Sequence, residues 1–206
     1  MSTTTRTAFK QDTKIALLQA GMSIMLEKGY TNTGIQEVLS SLGVPKGSFY
    51  HYFESKENFA VAIIQHLDQE YSADLMRTLR NPHQTPLQRL TTFCQTGKEC
   101  FLSQECRKGC LIGNLSQEMS DQSETLRKEL SSVMSKRLAM FSRCIEEGQK
   151  LGEINRACPP HKLAEMFMYG WSGAVMHAKT VKTAEPMETF IDLTFTHFLK
   201  ASATNT

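Results

Sequence analysis

Apolar residues return at helical intervals along almost the whole chain. Ile15, Leu18, Met22 and Met25 recur at three and four residues and predict one amphipathic helix. Asp12 or Thr13 is placed to cap its start, and Gly29 suits its end. Thr33-Gly34-Ile35-Gln36 has the form of a capping box, in which the Thr hydroxyl and the Gln side chain satisfy free N–H groups. The helix it opens carries Ile35, Val38, Leu39 and Leu42, then meets Gly43. Pro45 suits the first residue of a third helix, where its missing N–H costs nothing. That helix is short, because Ser55-Lys56-Glu57 has the look of another start.

Beyond Asn81-Pro82 the helices lengthen. One is predicted from Pro86 to about Gln104, followed by a charged break from Glu105 to Gly109, and another from near Cys110 to Ser120-Asp121. Leu126, Leu130, Met134, Leu138, Phe141 and Ile145 give a stripe along one long helix that ends near Gly152. Pro159-Pro160 starts a helix with Leu163, Phe167, Trp171, Ala174 and Ala178 on one side. Glu185-Pro186 separates it from a last helix bearing Phe190, Ile191, Phe195, Phe198 and Leu199. No strand-like alternation persists, so the pattern predicts an all-α chain. Its style changes around residues 55–80.

Composition narrows the class. The chain has 206 residues, 40% of them hydrophobic and 21% charged, which suffices for a core. The longest apolar run, Phe59 to Ile64, is far short of the ~18 residues a membrane span needs. The polar first residues hold no secretory signal, so the expectation is a soluble cytoplasmic protein with no membrane partner. Six cysteines, at positions 94, 100, 106, 110, 144 and 158, are then expected as thiols. None has the C-x-x-C spacing of a zinc or redox site, and His66 and His177 each lack a second ligand at metal spacing. No metal and no cofactor is expected.

The segment PKGSFYHYF, from Pro45 to Phe53, follows a helix and a Gly turn, as in a helix-turn-helix. Phe49 and Phe53, four apart, should anchor it to a core. Lys46, Ser48, Tyr50 and His51 offer hydrogen-bond donors on the other face, Gly47 allows close backbone approach, and no acidic residue falls between 38 and 53. From about Thr13 to Ile64 the chain resembles the DNA-binding domain of TetR-family transcriptional regulators, through TNTGIQEVLSSLGVPKGSFYHYFESKENF. The resemblance implies an N-terminal three-helix helix-turn-helix domain over 1–58 and a C-terminal helical sensing and dimerisation domain over 59–206. It implies that Tyr50 and Lys56 bind phosphates, that Lys46, Gly47, Ser48 and His51 face the groove, and that Thr33 and Gln36 touch the DNA backbone. It also implies a homodimer on palindromic operator DNA, formed through the last two long helices, with Gly170 and Gly173 permitting close approach. Charge alone would not have suggested DNA. Residues 1–58 hold six Lys or Arg against five Asp or Glu, and the whole chain carries only +2.

The segment RKGCLIGNLSQEMSD, with Gly-Cys-Leu followed by Leu115-Ser116 and Glu118, resembles the sensor region of the electrophile- and oxidant-responsive branch of that family. The later stretch from Gly173-Ala174 to Ala178-Lys179 matches the same branch. This implies a sensing thiol at Cys110 and a partner amine at Lys179. Cys106, in the charged break, is the candidate resolving thiol if it is near enough. Cys110 follows Arg107-Lys108-Gly109 and opens a helix, a setting that favours the thiolate. The plainer reading of Cys110 is a buried structural thiol, and that of Lys179 a solvated lysine at a helix end. Cys94, Cys100, Cys144 and Cys158 are expected in the core or incidentally at the surface, and Phe167, Met168 and Trp171 as core rather than pocket lining. The expected partner is a small electrophile, an oxidant or an organic inducer. Two rivals remain: reversible induction by an organic ligand such as an unsaturated acid, and a thiol-dependent enzyme. The enzyme needs a base and an oxyanion site, and none is legible near Cys110, so no enzymatic activity is expected.

Overall fold

The structure is a computed structural model that describes residues 3–201, with side chains described from residue 12 onward. Among the described residues there are nine α-helices: α1 (Thr3–Lys28), α2 (Ile35–Leu42), α3 (Lys46–Tyr52), α4 (Lys56–Leu79), α5 (Pro86–Ser103), α6 (Leu111–Met119), α7 (Glu124–Lys150), α8 (Pro160–Val181) and α9 (Glu185–Leu193). The all-α expectation holds. The last predicted helix is shorter than its apolar pattern suggested. α9 gives way at Thr194 to a π-helical turn through Phe198, and Ile154 and Lys200 then form an isolated antiparallel bridge. None of the described helices is long and apolar enough to cross a membrane.

Compactness divides the chain into two units. One takes the chain up to Gln69 together with Leu111–Ser131, and the other takes Glu70–Cys110 with Ser132 onward. This division differs from a cut at residue 58, because α6 and the start of α7 join the unit that holds α1–α3.

The first unit buries Leu17, Leu18 and Met25 of α1, Val38 and Leu39 of α2, and Phe59, Ala60, Ile63 and Ile64 of α4. Leu111, Ile112, Leu115 and Met119 of α6 are buried as well. Two local expectations are corrected here. Asp12 and Thr13 lie inside α1, not at its start. The capping box at Thr33 does not form, because Gly34 is the N-cap of α2 and the Thr33 hydroxyl donates to the Gly29 carbonyl instead (2.6 Å). A capping box does form at Thr85-Pro86-Leu87-Gln88, where Thr85 Oγ1 accepts from Gln88 N (3.4 Å) and Gln88 Oε1 accepts from Thr85 N (2.9 Å).

In the second unit, Phe93, Phe141, Phe167 and Phe190 form a run of ring contacts with successive centroids 4.9, 5.2 and 5.6 Å apart. Such tilted and edge-on pairs add to the energy of area burial. A Cβ on Gly170 would sit 2.6 Å from Phe190, so this glycine makes room for a ring of its own chain. Gly173 faces open space.

Arg89 is buried, and its donors serve the loop after α4. Nε donates to the carbonyls of Asn81 (2.8 Å) and Gln84 (3.0 Å), and NH1 to the Leu79 carbonyl (3.2 Å) and Glu147 Oε2 (2.8 Å). Removing it strands four acceptors at once, the Leu79 carbonyl among them buried. Arg89→Ala should therefore cost roughly 3 kcal/mol of stability, with little helix lost in the folded protein, as urea unfolding followed by circular dichroism will show.

Candidate nucleic-acid interface and sensor cysteine

α3 has seven residues, too few to be stable alone. Its position is set by two aromatic anchors. Phe49 and Phe53 are both buried, and their ring centroids lie 5.1 and 4.7 Å from that of Phe59 on α4. Gly21 of α1 lets Phe59 come this close, since a Cβ there would stand 2.3 Å from its ring. The turn before α3 depends on Gly43 at φ +63°, after which Val44 N–H donates back to the Leu39 carbonyl (3.1 Å). Pro45 is the N-cap of α3 and Lys46 its first residue, one position later than the sequence pattern suggested.

With the apolar face anchored, the polar face of α3 is exposed. Lys46, Gly47, Tyr50 and His51 are exposed and Ser48 is half-buried, so these five candidates fall together. No atom stands within 4 Å of a Cβ built on Gly47. Gln36 is exposed on α2, with its amide 3.4 Å from Ser40 Oγ. Thr33 is turned inward, only 2% exposed.

Lys56 opens α4, which is capped by Ser55 Oγ accepting from Asn58 N (3.0 Å). Its ammonium donates to the Thr31 carbonyl (3.0 Å) and stands 4.6 Å from the Tyr30 ring centroid. Partial burial lowers its pKa, against the opposing charge of Glu118. Glu118, near the end of α6, accepts from the backbone N–H groups of Tyr30 (2.8 Å) and Thr31 (2.7 Å). Burial alone would raise its pKa, but the Thr31 and Tyr30 donors and the Lys56 charge outweigh that and leave it lowered. Nothing in the local spacing around Glu118 assigns it a role. Its partners lie 88 and 87 residues away.

The thiols divide by burial. Cys94, Cys106 and Cys144 are buried, whereas Cys100, Cys110 and Cys158 are exposed. Desolvation pushes the Cys94 thiol up strongly and that of Cys144 up to about 12, so neither supplies a thiolate near neutral pH. Cys106 packs in a small apolar cluster with Phe101, Ala178 and Met187, and its carbonyl accepts from Lys182 Nζ (3.5 Å). Cys110 stands free immediately before α6, after Gly109 at φ +69°. A Cβ on Gly109 would lie 3.6 Å from Lys179 Cδ, which brings the Lys179 stem beside the peptide that carries Cys110. Tyr71 lies in the same electrostatic neighbourhood. Burial raises its hydroxyl to about 12, Arg137 (4.1 Å from the ring) opposes, and Cys110 and Cys94 add to the rise.

A short helix held by its aromatic face after a glycine turn, with donors exposed on the other face, defines a helix-turn-helix DNA-binding regulator. Residues 17–63 match the model of bacterial regulatory proteins of the tetR family, and residues 86–194 that of the tetracyclin repressor-like C-terminal domain. The chain belongs to the TetR family of transcriptional regulators. It is 35% identical to the transcriptional regulator AcuR of Cereibacter sphaeroides, over 89% of this chain and 84% of that one. It is 32% identical to the transcriptional repressor NemR of Escherichia coli, over 87% and 90%. The crystal structure of reduced E. coli NemR superposes with a TM-score of 0.84, covering 93% of this chain and all of the other at 30% identity.

The split between exposed and buried thiols has a direct readout. A chromogenic disulfide such as Ellman's reagent should titrate Cys100, Cys110 and Cys158 rapidly in the native protein, and Cys94, Cys106 and Cys144 only after denaturation. Rapid reaction of Cys94 would contradict the packing described.

Proposed function

We propose that this chain is a transcriptional repressor that binds a near-palindromic operator as a homodimer and leaves it when an electrophile or oxidant modifies Cys110. Two observations support the dimer. Met166, Tyr169 and Met176 on α8 are exposed at three- and seven-residue spacing, and Gly173 opens on the same stripe. On a two-fold operator the two α3 helices would enter successive major grooves about 34–36 Å apart. Tyr50 and Lys56 would hold phosphates, with Gln36 near the DNA backbone, while Lys46, Gly47, Ser48 and His51 face base edges. Thr33, buried with its hydroxyl bonded to the Gly29 carbonyl, has no part in the contact.

The sensing half rests on one observation, the exposed Cys110 beside the Lys179 stem at the start of α6. A thiolate adds through sulfur to the electron-poor carbon of an unsaturated carbonyl, and the displaced π electrons take a proton at the neighbouring carbon. Peroxide or hypochlorite instead oxidises the sulfur to sulfenic acid. The Lys179 amine can condense with that acid, forming an S–N bond and expelling water. Either product changes volume and charge at the residue before α6. Moving a population from 99:1 to 1:99 requires a bias of about 5.5 kcal/mol, which a covalent change sustains after the inducer is gone.

Two experiments test this reading. In footprinting and fluorescence titrations, Tyr50→Phe and Lys56→Ala should weaken binding to every DNA sequence, whereas substitutions at Lys46 or Ser48 should alter base preference. A protein that binds its own upstream region no better than random DNA refutes the repressor reading. N-ethylmaleimide or hypochlorite should release the wild type from operator and leave Cys110→Ser bound, and Lys179→Met should slow release by oxidant. Equal release of the Cys110→Ser protein would refute Cys110 as the sensor and leave the repressor reading intact.

A further inference from the structure

We infer that Glu118 is a positioning residue for DNA binding, holding Lys56 in the place from which it meets a phosphate. The inference rests on the proposed phosphate role of Lys56. Gly29 ends α1 at φ +81°, and the Tyr30 and Thr31 N–H groups that follow point together into one concavity, as successive amides do when they bind an anion. The two oxygens of Glu118 fill it, one per amide. A Cβ at residue 29 would stand 2.8 Å from Glu118 Oε2, so a side chain there would displace the carboxylate from the turn. Thr31 presents its other face to Lys56, whose ammonium bonds the Thr31 carbonyl and lies against the Tyr30 ring. Carboxylate, turn and ammonium thus form one chain of contacts. A second tie grips the same end of α4, where the Ser123 hydroxyl donates to Glu57 while also capping α7 through Leu126 N (3.1 Å).

A carboxylate in a DNA-binding unit is unfavourable if only charge is counted, because it repels phosphate. Removing it would then tighten binding. A positioning role has the opposite sign, since without Glu118 the turn loosens and Lys56 loses the carbonyl and ring that orient it. Glu118 sits on α6, which starts one residue after Cys110, so a displacement of α6 would withdraw the carboxylate from the turn.

The test measures operator affinity of the full-length protein over a range of salt concentrations, for wild type, Glu118→Ala, Glu118→Gln, Lys56→Ala and the Glu118→Ala/Lys56→Ala double variant. Glu118→Ala should bind about tenfold more weakly. Its salt slope should fall by about one counterion per site, matching the loss in Lys56→Ala. The double variant should be no weaker than Lys56→Ala. Glu118→Gln keeps one acceptor for the two amides and should fall between, and it carries the test if the alanine variant does not fold. Mere destabilisation would reduce the active fraction without changing the slope. Undiminished or tighter binding by the Glu118 variants, an unchanged slope, or additive losses in the double variant would overturn the inference and leave Lys56 as a phosphate contact. Wild-type binding by Lys56→Ala would remove both.

Discussion

A helix of seven residues makes too few hydrogen bonds to persist in water, and α3 is that short. Its existence depends on Phe49 and Phe53, which pack on Phe59, and on Gly21, which lets Phe59 approach α1. That aromatic contact decides more than stability. With both phenylalanines turned inward, helical geometry leaves Lys46, Gly47, Tyr50 and His51 on the outside together. The exposed donor face is what remains after the core has taken its share.

Charge plays a local part rather than a global one. The chain is close to neutral, so net charge by itself supplies little long-range attraction to DNA. A few oriented donors then matter more, and orientation comes from backbone groups. Lys56 is steered by a carbonyl and a ring, and the peptides that supply them are held by a carboxylate from α6. An acidic side chain can therefore support contact with an anion when it acts through the backbone.

In the second unit, burial sorts the chemistry. Cys94 and Cys144 sit among aromatic and aliphatic side chains, where forming a thiolate is unfavourable. Cys110 is outside that environment and beside a lysine stem. The six thiols have one intrinsic chemistry and separate into two classes only through packing.

The helical periodicity, the glycine turn at Gly43, the anchoring pair Phe49 and Phe53 and the family motif were all legible in the chain, because each depends on residues within a few turns of one another. The same locality explains the errors. Thr33 and Thr85 both open the pattern of a capping box, and only Thr85 forms one. The Thr33 hydroxyl is taken by the Gly29 carbonyl, and the helix starts one residue later than the pattern implies. Arg89 and Glu118 look like ordinary surface charges in sequence. Their partners come from loop carbonyls, from α7 or from a turn 87 residues away. Composition also could not say which thiols were buried. The sequence by itself determined the helices, the anchored short third helix and the family, since these follow from short-range spacing. Only the tertiary structure decided which donors meet which acceptors and which sulfurs meet solvent, because those depend on residues that folding alone brings together.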